Sequence, residues 1–109
     1  MTNNSIDNPD WRVVRTRIRL YAECMPELSR FLGIVIAMYY RDHAPPHFHA
    51  LYGEFEATID IHTGVVRGEL PSRALAHVQE WRRLHETELS LVWEHASAGM
   101  PLWRIDPLE

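Results

Sequence analysis

The stretch from His47 to Ile61, HFHALYGEFEATIDI, constrains the fold more than any other part of the chain. Its two β-rich halves flank Gly53-Glu54. Gly-X is the pair that a two-residue type II′ hairpin favours, because the first turn position needs a positive φ. With Tyr52 opposite Phe55, the register follows. Ala50 meets Ala57 and Phe48 meets Ile59 on one side; Leu51 meets Glu56, His49 meets Thr58 and His47 meets Asp60 on the other. The first side is apolar and belongs on a core. The second carries the chemistry. A one-residue slip would exchange the two faces, so the apolar pattern specifies the register.

Other elements gather around this hairpin. Residues 31–40, FLGIVIAMYY, are apolar on both faces and read as a central strand. RDHAPP is a turn or loop, with Ala44 pushed toward extended geometry by Pro45. HTG makes a second tight turn, with Gly64 left-handed, and leads into the strand VVRGEL. Pro71 suits the first turn of a helix. The helical pattern then runs to Gly99, a C-terminal stop. Leu75, Val78 and Trp81 or Arg82 mark one apolar face, and Leu89, Val92, Trp93 and Ala96 a second. The two do not join smoothly across His85 to Thr87, which predicts one bent helix or two helices. LWRIDPL closes the chain as a short strand or extended tail. The expected class is α+β: a small antiparallel sheet of three to five strands with helices on one face.

The 109 residues suit a single domain by size. The longest apolar run is too short to span a bilayer, the polar N-terminus lacks the apolar stretch of a signal peptide, and Cys24 has no partner for an intrachain disulfide. These features predict a cytoplasmic protein with no membrane association. The net charge of −4 disfavours a dedicated nucleic-acid coat. Its distribution is uneven. Residues 1–24 hold Arg12, Arg15, Arg17 and Arg19 against three acids, whereas residues 25–109 hold seven arginines against twelve acids. RNA or DNA contact through the four N-terminal arginines is one expectation, weighed against a solvated strand face or arm.

Three of the seven histidines, His43, His47 and His49, fall within RDHAPPHFH beside Asp42. His47 and His49 stand two apart on a strand, so both rings leave one face. Asp60, opposite His47, is the expected third ligand or a carboxylate that orients an imidazole. Two histidines and a carboxylate suit a divalent transition metal such as iron, zinc or manganese. The same residues also suit metal-free acid–base cleavage of RNA. His43, His47 or His49 would move protons, with Arg41 steadying phosphate and Tyr39 or Tyr40 alongside. The plain structural alternative is a rigid turn whose histidines hydrogen-bond across strands. His85 and Glu88 also have a spacing seen in metal sites, though such a pair on a helix is ordinarily solvated. His62 is expected in an exposed turn, and His77 and His95 on helix surfaces. Trp81 is expected in the core, its indole N–H satisfied at the edge.

The segments DHAPPHFHALYG and LPSRALAHVQEW, with the closing PLWRIDPL, resemble the bacterial domain-of-unknown-function 4160 family over about residues 25–109. Members of that family start at a Met-Pro like Met25-Pro26. Residues 1–24 thus read as an arginine-rich extension, either real or produced by an upstream start codon chosen in error. The resemblance implies no assigned activity. It does imply a gene neighbourhood shared with the domain-of-unknown-function 2442 family, in an arrangement like a toxin–antitoxin pair. The leading expectation is therefore a component that binds a small protein encoded next door, with self-association open. The alternatives are a histidine-based ribonuclease or phosphodiesterase, and a metal-dependent regulatory domain.

Overall fold

The computed structural model describes residues 25–109. The strand and arginines expected before Met25 lie outside the described residues. Five strands, β1 (Glu27–Phe31), β2 (Ile34–Ala37), β3 (His47–Tyr52), β4 (Phe55–Asp60) and β5 (Val66–Gly68), precede two helices, α1 (Ser72–Leu84) and α2 (Glu86–Ser97). The sheet is antiparallel throughout, in the order β1-β2-β3-β4-β5. The protein is α+β, with both helices on one face of the sheet.

The β3–β4 hairpin has the expected register, from Tyr52 opposite Phe55 to His47 opposite Asp60. Gly53 takes φ +58°, a value its missing Cβ permits at no steric cost. On the core side, Phe48, Ala50, Ala57 and Ile59 are buried. Trp81 of α1 packs edge-on against Phe48, ring centroids 5.7 Å apart, and at a tilt against Phe31 of β1 at 5.5 Å. Its indole N–H donates to the Asp106 carbonyl at 2.8 Å, so the largest core side chain leaves no polar group unpaired.

Residues 31–40 do not form one central strand. Leu32 and Gly33 make a tight turn at φ +52° and +80°, which ends β1 at Phe31 and starts β2 at Ile34. Positive φ at both central residues is the type I′ requirement. The apolar run is therefore divided between two neighbouring strands.

Ala74, Val78, Trp81 and Arg82 line the buried stripe of α1, and Leu89, Val92, Trp93 and Ala96 that of α2. Each set has helical spacing. The chain breaks between them at His85, whose φ of −121° is not helical. Its N–H still bonds the Trp81 and Arg82 carbonyls, so the break leaves that donor satisfied. Arg82 is buried too, its guanidinium held by Gln79 and the Ile61 carbonyl.

The tail after Pro101 is extended without strand pairing; the Ile105 N–H donates to the Leu28 carbonyl at 2.8 Å. Trp103 lies edge-on to His95, with centroids 4.9 Å apart. His95 is thus half-buried beneath the tail, not a helix-surface residue. Among the described residues no helix is long and apolar enough to cross a membrane.

Candidate metal centre

Strand alternation sends Phe48 and Ala50 to the core and His47 and His49 to the opposite face. Both histidines are 8% exposed. The loop between β2 and β3 covers them, and its ends are pinned. The Arg41 N–H donates to the Ala96 carbonyl at 2.9 Å, and the Ile61 N–H donates to the Pro46 carbonyl at 3.0 Å. Within the loop, the Ala44-Pro45 peptide is cis.

This loop delivers Asp42. Its Oδ1 accepts the His43 backbone N–H at 2.8 Å and also lies 2.8 Å from the His43 ring. Its Oδ2 is 2.9 Å from His47 Nε2 and 3.7 Å from His49 Nε2. Burial works to raise the Asp42 carboxyl. The His43 N–H, then the His47 ring, outweigh it and hold the group below its ordinary value. Asp42 is therefore an anion at neutral pH.

The ring nitrogens facing away from Asp42 fix the chemistry. His47 Nδ1 is 2.7 Å from the Pro45 carbonyl, which can only accept. His49 Nδ1 is 3.4 Å from a Glu56 carboxylate oxygen. His47 Nδ1 therefore carries its proton as a donor, and the same tautomer of His49 lets its Nδ1 donate to Glu56. In that neutral tautomer each Nε2 is a bare lone pair, and both turn toward Asp42. Three electron-rich atoms so arranged make a site that a divalent metal ion can fill. His49 Nε2 is in fact buried with no hydrogen-bond partner. Anchoring Nδ1 on a carbonyl or carboxylate is also the usual outer support of a metal-binding imidazole.

One ligand atom each from Asp42, His47 and His49 lies within 4.8 Å of the others. Tetrahedral ligands at about 2.0–2.2 Å from zinc stand about 3.4 Å apart. The contacts of Asp42 Oδ2 with the two Nε2 atoms, 2.9 and 3.7 Å, bracket that value. The cluster fits a divalent metal site.

Asp60, expected to join His47 and His49, faces another task. Its Oδ1 accepts the backbone N–H groups of His62 and Thr63, both at 2.9 Å, and closes the β4–β5 turn. Burial acts to raise its carboxyl, but the N–H groups of Thr63 and His62 prevail and hold it low. The register opposite His47 is correct; the carboxylate that meets the rings comes from the loop instead. Arg41 is also elsewhere. It adopts φ +54°, and its guanidinium lies against Gly99, beyond the C-terminal end of α2. His43 sits at the exposed rim, its ring 5.5 Å from that of His47. Tyr39 stands edge-on to His49 at 4.8 Å. Tyr40 packs against the core cluster.

Above the cluster opens a cleft of about 630 Å³ lined by Tyr39, Asp42, His43, His47, Thr58 and Arg67, among others. Neither Thr58 nor Arg67 stands out in the sequence as a site residue. Their signal is positional: His49 pairs with Thr58, and Thr58 with Arg67, so the three form a row across β3, β4 and β5. Trp93 reaches the cluster from α2, its ring 5.1 Å from His47. The remaining histidines stand apart. His62 bonds Glu86 at 2.9 Å, and His85 lies 3.9 Å from Glu88.

A family model described as a domain of unknown function, DUF4160, matches residues 33–94. The chain belongs to the DUF4160 family. The span matched to DUF4160 holds Asp42, His47, His49, Thr58 and Arg67, and ends within α2. No curated protein and no solved structure matches the chain.

Proposed function

We propose that this DUF4160 protein works through a divalent transition metal held by Asp42, His47 and His49. The observation that carries the reading is the convergence of two Nε2 atoms and one carboxylate oxygen, with the Nδ1 atoms directed at the Pro45 carbonyl and the Glu56 carboxylate. Imidazole and carboxylate ligands suit zinc, iron or manganese. Three protein ligands below an open cleft are the arrangement of a working metal, which keeps positions for water or substrate, whereas a structural zinc site closes with four. Such a metal supplies Lewis acidity toward a bound oxygen. We therefore favour hydrolytic chemistry on an oxygen-rich substrate.

Metal-free acid–base cleavage fits less well. It needs ring nitrogens that face a substrate, and those of His47 and His49 face Asp42, a carbonyl and Glu56. Partnership with a protein encoded by a neighbouring gene draws on gene context alone.

The test is the metal content of untagged protein purified without a nickel column, beside the His47→Ala/His49→Ala double variant. Near-stoichiometric zinc, iron or manganese is expected in the parent and none in the variant. A folded parent that neither carries these metals nor gains thermal stability when they are added would overturn the proposal.

A further inference from the structure

The row His49–Thr58–Arg67 crosses three adjacent strands on one face. Strands stand about 4.8 Å apart, so Arg67 begins about 10 Å from His49 along the row. All three residues line the same cleft. Arg67 is exposed and has no carboxylate partner among the described residues, and Thr58 has no hydrogen-bond partner for its hydroxyl there. By contrast, Arg30 and Arg104 share Glu27, and Arg82 is enclosed.

We infer that Arg67 and Thr58 bind a phosphoryl group of the ligand that the metal centre acts on. The inference rests on the metal reading above and names its substrate class. A guanidinium presents a fork of N–H donors matched to oxyanions. A hydroxyl donates one hydrogen bond, and a divalent ion with one carboxylate ligand keeps net positive charge. These three oxygen-seeking groups are spread along roughly 10 Å. A planar carboxylate has two oxygens to share among them. A phosphate ester has four oxygens around phosphorus and can meet the metal and the row together. Arg67 is here a binding and positioning residue on a strand, fixed by backbone pairing on β4.

The experiment uses the full chain loaded with zinc or manganese, and Arg67→Met, which keeps the length of the stem but no charge. Metal stoichiometry is measured first on both proteins. Inorganic phosphate and the ribodinucleotide UpU are then titrated by calorimetry. The parent should bind at least one of them, and Arg67→Met should bind on the order of tenfold to a hundredfold more weakly with unchanged metal content. Tighter binding of UpU would assign a phosphodiester, and tighter binding of phosphate a terminal phosphoryl group. Equal affinity in parent and variant, or no binding of either probe, would overturn the inference. Should the parent hold no metal, the metal reading fails separately. The same titrations on metal-free protein then decide Arg67 alone: an Arg67-dependent affinity retains the anion site, and its absence removes it.

Discussion

Asp42 and Asp60 both reach the neighbourhood of His47, and they make opposite commitments. Asp42 turns Oδ2 toward the two imidazoles, whereas Asp60 spends Oδ1 on two backbone N–H groups. The two carboxylates should therefore separate cleanly on substitution. Asp42→Asn removes the anion from the cluster yet offers a side-chain N–H to a bare Nε2. The fold should hold, while metal affinity falls by more than the roughly 10–100-fold that loss of an outer partner costs. Asp60→Ala leaves two turn N–H groups without their acceptor. It should lower stability by about 1 kcal/mol with metal stoichiometry intact. Denaturant melts and metal analysis of both variants check the pair, and metal loss in Asp60→Ala alone would reverse the assignment.

At the scale of the element, the β1–β2 turn places a leucine, 56% exposed, in the left-handed region. The penalty for an L-residue there is roughly 1–2 kcal/mol, and asparagine tolerates the conformation better. Leu32→Asn would create the Asn-Gly pair that type I′ turns favour. It should raise stability by up to about 1 kcal/mol in a thermal or urea melt, and a loss would mean that the Leu32 side chain contributes packing. The same turn explains what could be read from sequence. The β3–β4 register was legible because Gly53 and strict apolar alternation agree. The break between helices was legible because two apolar faces fall out of phase at His85. The Leu32-Gly33 turn was hidden, since leucine is an unusual occupant and apolar residues flank it on both sides. Asp42 was visible as a neighbour of the histidines, but its place at the cluster was not. A loop has no periodicity from which to predict where a side chain points, so the register nominated Asp60. Arg67 required two successive strand pairings before it could be placed beside His49.

Across the whole molecule, the C-terminal tail is tied to the first described strand. Arg104 reaches Glu27 at 3.0 Å, Ile105 bonds Leu28, and the Asp106 carbonyl receives the Trp81 indole. Arg30 most strongly, then Arg104, hold the Glu27 carboxyl below its ordinary value, against the opposing effect of burial. A carboxyl lowered in the folded state adds stability above its unfolded pKa, and that contribution is lost as pH falls through the folded value. Acid should therefore weaken the fold below about pH 4, where carboxylates ordinarily titrate. Glu27→Gln should flatten that acid limb in melts followed from pH 7 to pH 2, and an unchanged limb would mean that Glu27 does not contribute to it.

The central position of β3 also affects how the cluster assembles. His49 to Leu51 pair with β2 on one side and β4 on the other, whereas Asp42 hangs on a connecting loop. Backbone amides so enclosed trade hydrogen for deuterium only when the sheet itself opens. The backbone of His49 is therefore held on both sides and that of His47 by β4, while Asp42 rests on the loop as the more adjustable ligand. Capture of an ion should appear as slowed amide exchange from Asp42 to Ala44, with β3 unchanged.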